Sequence, residues 1–123
     1  MAGTLTYEDK KPNSKGHIGK VTISWTSDSS GNVNGTYVPF NGFFERIVTN
    51  PTDGPSANYD ITLDDADGLD LANGDLANRH TTTSQAVVPS KGTYHLVSYR
   101  GLIEPKVENA GDTKSGVVHI YYS

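Results

Sequence analysis

A chain of 123 residues, with fourteen acids against ten bases and no cysteine, is long enough to bury one core and too short for a second. Its net charge of −4 speaks against a basic nucleic-acid surface. The missing cysteines exclude disulfide frameworks and thiolate metal sites, so packing or neighbouring subunits must hold the fold together.

The opening Met1-Ala2-Gly3-Thr4-Leu5-Thr6-Tyr7 has neither a charged n-region nor a long apolar run, so it reads as neither signal peptide nor anchor. No stretch approaches the length that spans a bilayer, and a soluble chain made in the cytoplasm is expected. Leu5 and Tyr7 alternate with polar residues before a run of lysines, Pro12, Asn13 and Gly16. Residues 1–19 are therefore read as an N-terminal arm and loop, and residues 20–123 as one β-sandwich domain.

Along residues 20–27, Val21, Ile23 and Trp25 share one face and Thr22, Ser24 and Thr26 the other, the period of a half-buried strand. Trp25, within that apolar face, is expected in the core. A turn-rich link follows over residues 27–35. Residues 36–40 and 43–49 read as two strands joined at Asn41-Gly42, a hairpin pair. In the second, Phe43, Glu45 and Ile47 oppose Phe44, Arg46 and Val48, so both faces carry apolar groups and cover is expected on both sides.

Residues 50–57 form a loop leading into the stretch that orders the middle of the chain. There Tyr59, Ile61 and Leu63 alternate with Asp60, Thr62 and Asp64, and Asp67-Gly68 tolerates the positive φ of a tight turn. Leu69 and Leu71 restart the alternation, which predicts a hairpin with an acidic, solvated face. A calcium loop fits less well: with Gly68 at the sharp turn, the first ligand position falls on Leu63, which has no side-chain oxygen. Residues 72–80 read as an ordered excursion too short to nucleate a helix. Residues 85–89, 93–99, 102–107 and 116–122 complete the strands, spaced about ten residues apart with turn signals between. No amphipathic helix occurs. The fold class is all-β, an antiparallel β-sandwich or barrel of about seven to nine short strands.

Chemistry is sparse. His17, His80, His95 and His119 belong to no nucleophile elbow, zinc helix or phosphate loop, although His95 and His119 lie in strand patterns that allow an approach across a sheet. The chain is read as a non-enzyme without cofactor or metal. Seven tyrosines suit protein contact, because an apolar ring carries a polar tip. The candidate partner-binding residues are Leu5, Tyr7, Tyr37, Phe40, Tyr94, Tyr99 and Arg100, with the aromatic–arginine grouping of Tyr94, Tyr99 and Arg100 foremost.

Three segments carry a resemblance: Lys20-Val21-Thr22-Ile23-Ser24-Trp25-Thr26-Ser27-Asp28 with Gly31; Asn58 through Asp67-Gly68 and on from Gly74 to Arg79; and Asn109-Ala110-Gly111-Asp112-Thr113-Lys114-Ser115-Gly116-Val117-Val118. Together the chain resembles small β-rich virion structural proteins of tailed bacteriophages, of the capsid decoration or cement kind. The resemblance implies a protein on the outer shell of the virion, often a homotrimer at local symmetry axes, whose partner is the major capsid protein, with no nucleic acid or membrane. It further suggests that the arm up to Asp9 adds as a strand to a capsid or sibling subunit. The alternatives are a fibre-head module binding a receptor or carbohydrate, and a head-completion or tail component.

Overall fold

The computed structural model describes residues 3–13, 16–55, 57–89 and 97–123. Among them are seven strands and no helix: β1 (Thr4–Lys10), β2 (Gly19–Thr26), β3 (Val38–Asp53), β4 (Asp60–Asp64), β5 (Gln85–Val87), β6 (Val97–Glu108) and β7 (Ser115–Tyr122). All pair antiparallel in one sheet of order β1-β2-β7-β3-β6-β4, with β5 also against β3. The sheet wraps onto itself. Trp25 of β2 meets Tyr59, just before β4, with ring centroids 5.4 Å apart, although β2 and β4 stand second and last in the order. This is the expected all-β sandwich or barrel.

The alternation in β2 holds: Val21, Ile23 and Trp25 are buried, packed with Val118 and Ile120 of β7, and with Ile47, Ile61 and Leu63. Two glycines in the β2–β7 pair make room for aromatic rings. Gly116 stands opposite Trp25 and Gly19 opposite Tyr122, and a Cβ at either position would fall 2.5 Å or less from the ring it faces. Trp25 Nε1 and the Tyr59 hydroxyl are buried without a hydrogen bond among the described residues. Burial pushes the Tyr59 phenol up, partly opposed by the Thr49 hydroxyl and the charge of Arg79.

Several local expectations change. Asn41-Gly42 is not a hairpin turn: β3 runs through it, and Gly42, at φ 151°, lets Ser123 approach, since a Cβ there would fall 2.5 Å from Ser123 O. Arg100-Gly101 likewise lies inside β6, with Gly101 at φ 143°. The strict alternation expected for residues 43–48 is broken by a bulge between Phe44 and Arg46. One extra residue rotates the remainder of the strand, so Phe44 and Ile47 both face the core while Phe43 faces out.

The acidic stretch returns across the Asp67-Gly68 turn for a single antiparallel bridge, Asp64 opposite Asp70, with Asp65 N donating to Leu69 O and Leu71 N to Leu63 O, and not as a second strand. β4 pairs instead with β6, and residues 71–76 form turns. The reason lies in the aspartates, which accept backbone N–H groups a strand ladder would need. Asp65 Oδ1 accepts from Asp67 N and Leu69 N at 2.8 and 3.0 Å. Asp70 accepts from Leu63, Ala72 and Gly74, and Asp60 from Asn78 N and Asn109 Nδ2. The excursion is ordered, with Ala72 and Leu76 fully buried.

The segment read as an arm supplies the edge strand β1, paired with β2 along its whole length, Thr4 opposite Thr26 through Lys10 opposite Lys20. Its inner edge is thus taken by its own chain, and Leu5 belongs to the core. Asp9 anchors it further by accepting the Tyr122 hydroxyl at 2.6 Å. Burial, then that hydrogen bond and the Asp9 charge, push the Tyr122 phenol up to about 12 from its ordinary 10.0. A raised folded pKa contributes stability that is complete below pH 10 and is lost as the pH rises through about 12. The melting temperature is therefore expected to fall over this window more steeply for the native chain than for Tyr122→Phe; parallel curves for the two would contradict the link.

Candidate interaction surface

The first halves of β3 and β6 pair as a two-stranded ribbon, from Val38 opposite Ile103 to Phe44 opposite Val97. Alternation divides its faces. Val38, Phe40, Phe44 and Ile103 turn inward, and Phe40 stacks on Phe44 at 4.4 Å with Tyr122 edge-on at 5.3 Å. The outer face carries Pro39 opposite Leu102, Asn41 opposite Arg100, and Phe43 opposite Ser98, with Tyr37 just ahead of the strand. Tyr37 and Leu102 are each 55% exposed and Phe43 46%. Three of the large hydrophobic side chains left in water thus gather around one arginine, the composition of a protein-contact patch.

Beside the ribbon lies a cleft of about 590 Å³, lined by Tyr37, Asp64, Tyr99, Arg100, Leu102 and Lys106 among others. Tyr99 joins its two walls: its hydroxyl donates to Leu102 O at 3.1 Å and accepts from Ala66 N at 3.2 Å. That bond holds the acidic turn against the ribbon. At one end the charges are matched. Lys106 pairs with Asp64 at 3.0 Å and lies 3.9 Å from Glu104, whose other oxygen accepts Gly35 N; these carboxylates, Asp64 first, raise the Lys106 pKa. Arg100 is different. It is exposed, and its side chain has no hydrogen bond or ion pair among the described residues.

No family model and no curated protein matches the chain. The surface therefore rests on its own geometry.

Of the candidate contact residues, the fold brings Tyr37, Tyr99 and Arg100 to this cleft. Phe40 is buried, and reaches the floor of a second, smaller cavity of about 320 Å³ with Asp9, Arg100 and Tyr122. Leu5 is also buried, so in this fold both residues pack the core rather than present a surface. Tyr7 stands apart on β1, 44% exposed, on an edge strand whose outer side has no partner among the described residues. Tyr94 and His95 lie outside the described residues. Sequence reasoning missed Phe43 and Leu102. Phe43 escaped because the bulge reverses its face, and Leu102 because β6 was divided at Gly101.

His119 is half-buried on the outer face of β7, its Nδ1 3.2 Å from Thr22 Oγ1; burial, then Lys20, lowers its pKa. Among the described residues no three histidines, aspartates or glutamates converge to hold a metal. No helix there is long and apolar enough to cross a membrane.

Proposed function

We propose that this chain is a virion structural protein of a tailed bacteriophage, a capsid decoration protein that binds the major capsid protein on the outer shell and stabilises the assembled head. The observation that carries the reading is the uncovered face of Tyr37, Phe43 and Leu102 around Arg100. Such a face is costly in water and gains by being covered on assembly. Binding only the assembled shell stabilises it by linkage. Repetition over a symmetric lattice multiplies contacts that are modest one at a time. The outer edge of β1, with Tyr7 beside it, offers a second surface where a strand of a neighbour can add. The arm itself is not free to leave its own chain: removing residues up to Asp9 takes Leu5 from the core and Asp9 from Tyr122.

The function assigns no catalytic step, cofactor, nucleic acid or membrane. A carbohydrate-binding fibre head is the second reading, favoured by the two tyrosines and the carboxylates around the cleft. Pelleting the purified chain with mature heads of the parent phage separates the two. Saturation at a fixed number per capsomer is expected, with at least about tenfold weaker binding for Tyr37→Ala/Phe43→Ala/Leu102→Ala. No pelleting, or binding unchanged in that variant, contradicts the proposal, and retention on a glycan array supports the fibre head.

A further inference from the structure

The outward side chains of the ribbon alternate in kind as well as in direction. Pro39 stands opposite Leu102, then Asn41 opposite Arg100, then Phe43 opposite Ser98, so a polar pair lies between positions that carry apolar groups. Arg100 offers five N–H donors in a planar fork. Among the described residues no carboxylate lies within 4.0 Å of it, and the Asn41 side chain makes no hydrogen bond. Both line the smaller cavity of about 320 Å³, over a floor of Phe40 and Tyr122. Gly101 faces Phe40 in the register and puts no side chain over the ring. Asp9 and Lys11 line the same cavity from the end of β1, a strand not paired with the ribbon. Asp9 accepts the Tyr122 hydroxyl with one oxygen and pairs with Lys11 through the other, so the cavity's carboxylate is already satisfied. In the neighbouring cleft Asp64 and Glu104 are held by Lys106, and Asp65 by backbone amides. What is left over is a guanidinium and an amide above an aromatic floor.

We propose that the ribbon receives an extended acidic segment of its protein partner, with one carboxylate on Arg100 and Asn41 and an apolar side chain two positions to either side. The spacing carries the choice. Side chains on one face of a strand recur every two residues, about 6.8 Å, and those of an extended segment laid along the ribbon recur at the same interval. A carboxylate over the middle pair therefore sets its neighbours at i−2 and i+2 over Leu102 with Pro39 on one side and over Phe43 on the other. A carboxylate meets a guanidinium fork through two parallel hydrogen bonds, and its single charge matches the one cation of the cavity that no acid neutralises. A cavity of this volume is at the small end for ligand sites, so it takes a side chain rather than a sugar chain. This inference rests on the reading of the ribbon as a contact surface and names the chemistry of what covers it.

Magnetic resonance titration of the isotope-labelled chain with a synthetic peptide, acetyl-Leu-Ser-Glu-Ser-Leu-amide, tests it without any capsid. The native chain is expected to bind this peptide about tenfold more tightly than its glutamine analogue, because a hydrogen bond to an ionised acceptor is the stronger one. A peptide with the glutamate moved one position, acetyl-Leu-Glu-Ser-Ser-Leu-amide, should also bind more weakly, since its carboxylate and leucines no longer share a face. In Arg100→Ala the preference for glutamate over glutamine should shrink to about twofold or less. The circular dichroism melt of that variant should match the native chain, as the Arg100 side chain is exposed and bonded to nothing among the described residues. Absence of binding at millimolar peptide overturns the inference. So does equal affinity for the three peptides, or a glutamate preference that survives Arg100→Ala. Displacement of the peptide by inorganic phosphate and not by acetate would assign the site to a phosphate and overturn it as well. A chain that pellets with heads yet ignores the charge of the peptide refutes this inference and leaves the decoration role standing. One that keeps the charge preference and fails to pellet refutes the decoration role instead.

Discussion

Replacing Trp25 by alanine is expected to destabilise the fold by about 3 kcal/mol, the low end of the range for large aromatic truncations in cores. Trp25 is 2% exposed and joins the two regions of the wrapped sheet through Tyr59, so its loss opens a cavity between them. The cost is held down because the indole N–H has no hydrogen-bond partner among the described residues; removing an unsatisfied buried donor returns roughly 1 kcal/mol or more. A loss of that size should lower the melting temperature by about 10 °C for a chain of this length. Gly116 gives the internal check. A Cβ there falls 2.5 Å from the Trp25 ring, so Gly116→Ala alone should cost about 1–3 kcal/mol by overpacking. In the Trp25→Ala background the same methyl enters the cavity, and the penalty should vanish. Additive losses would show that the ring and the glycine are not packed as described.

Gly31→Ala is expected to cost about 3 kcal/mol, from two separate sources. At φ 86° an L side chain is strained, and the new Cβ would lie 2.6 Å from Gly111 N. That neighbour is backbone and cannot rotate away. The loops are also bound together there: Ala110 N donates to Gly31 O at 3.1 Å, Thr113 N to Asp28 O at 3.1 Å, and the buried Ser27 hydroxyl bridges Gly111 and Lys114. Asp28 organises the near side by accepting from Ser30 N and Asn32 N; these amides, Asn32 first, lower its pKa. Gly35 separates the two sources, for it has φ 85° but nothing within 4 Å of its Cβ position. Gly35→Ala should therefore cost only about 1 kcal/mol, the conformational part alone. Equal losses at the two glycines, read from denaturant unfolding, would contradict the close approach of the loops.

The strands whose side chains alternate cleanly were legible before any coordinates. Residues 20–27 and 116–122 became β2 and β7 almost at the expected bounds, because β-branched and aromatic residues at period two specify a half-buried strand. Legibility failed where a glycine or an aspartate has two meanings. Asn41-Gly42 has hairpin chemistry in isolation, but the C-terminal Ser123 exchanges hydrogen bonds with Phe43 across the strand, and this distant pairing keeps β3 continuous. Asp67-Gly68 does make a turn, with Gly68 at φ 80°. The residues beyond it pair back for one bridge only, Asp70 opposite Asp64, since Asp70 turns its carboxylate onto three backbone amides. The candidate surface is half visible in the sequence. Tyr37 follows from residue type, and Tyr99 and Arg100 from an aromatic standing next to an arginine, while Leu102 and Phe43 depend on a register and a bulge that local spacing does not encode.

The proposed role in a particle is tested most directly by quantitative mass spectrometry of purified virions. A decoration protein should be present in on the order of hundreds of copies, in a simple ratio to the major capsid protein, as lattice repetition requires. Absence from the particle, or a handful of copies confined to one vertex or the tail, would contradict it.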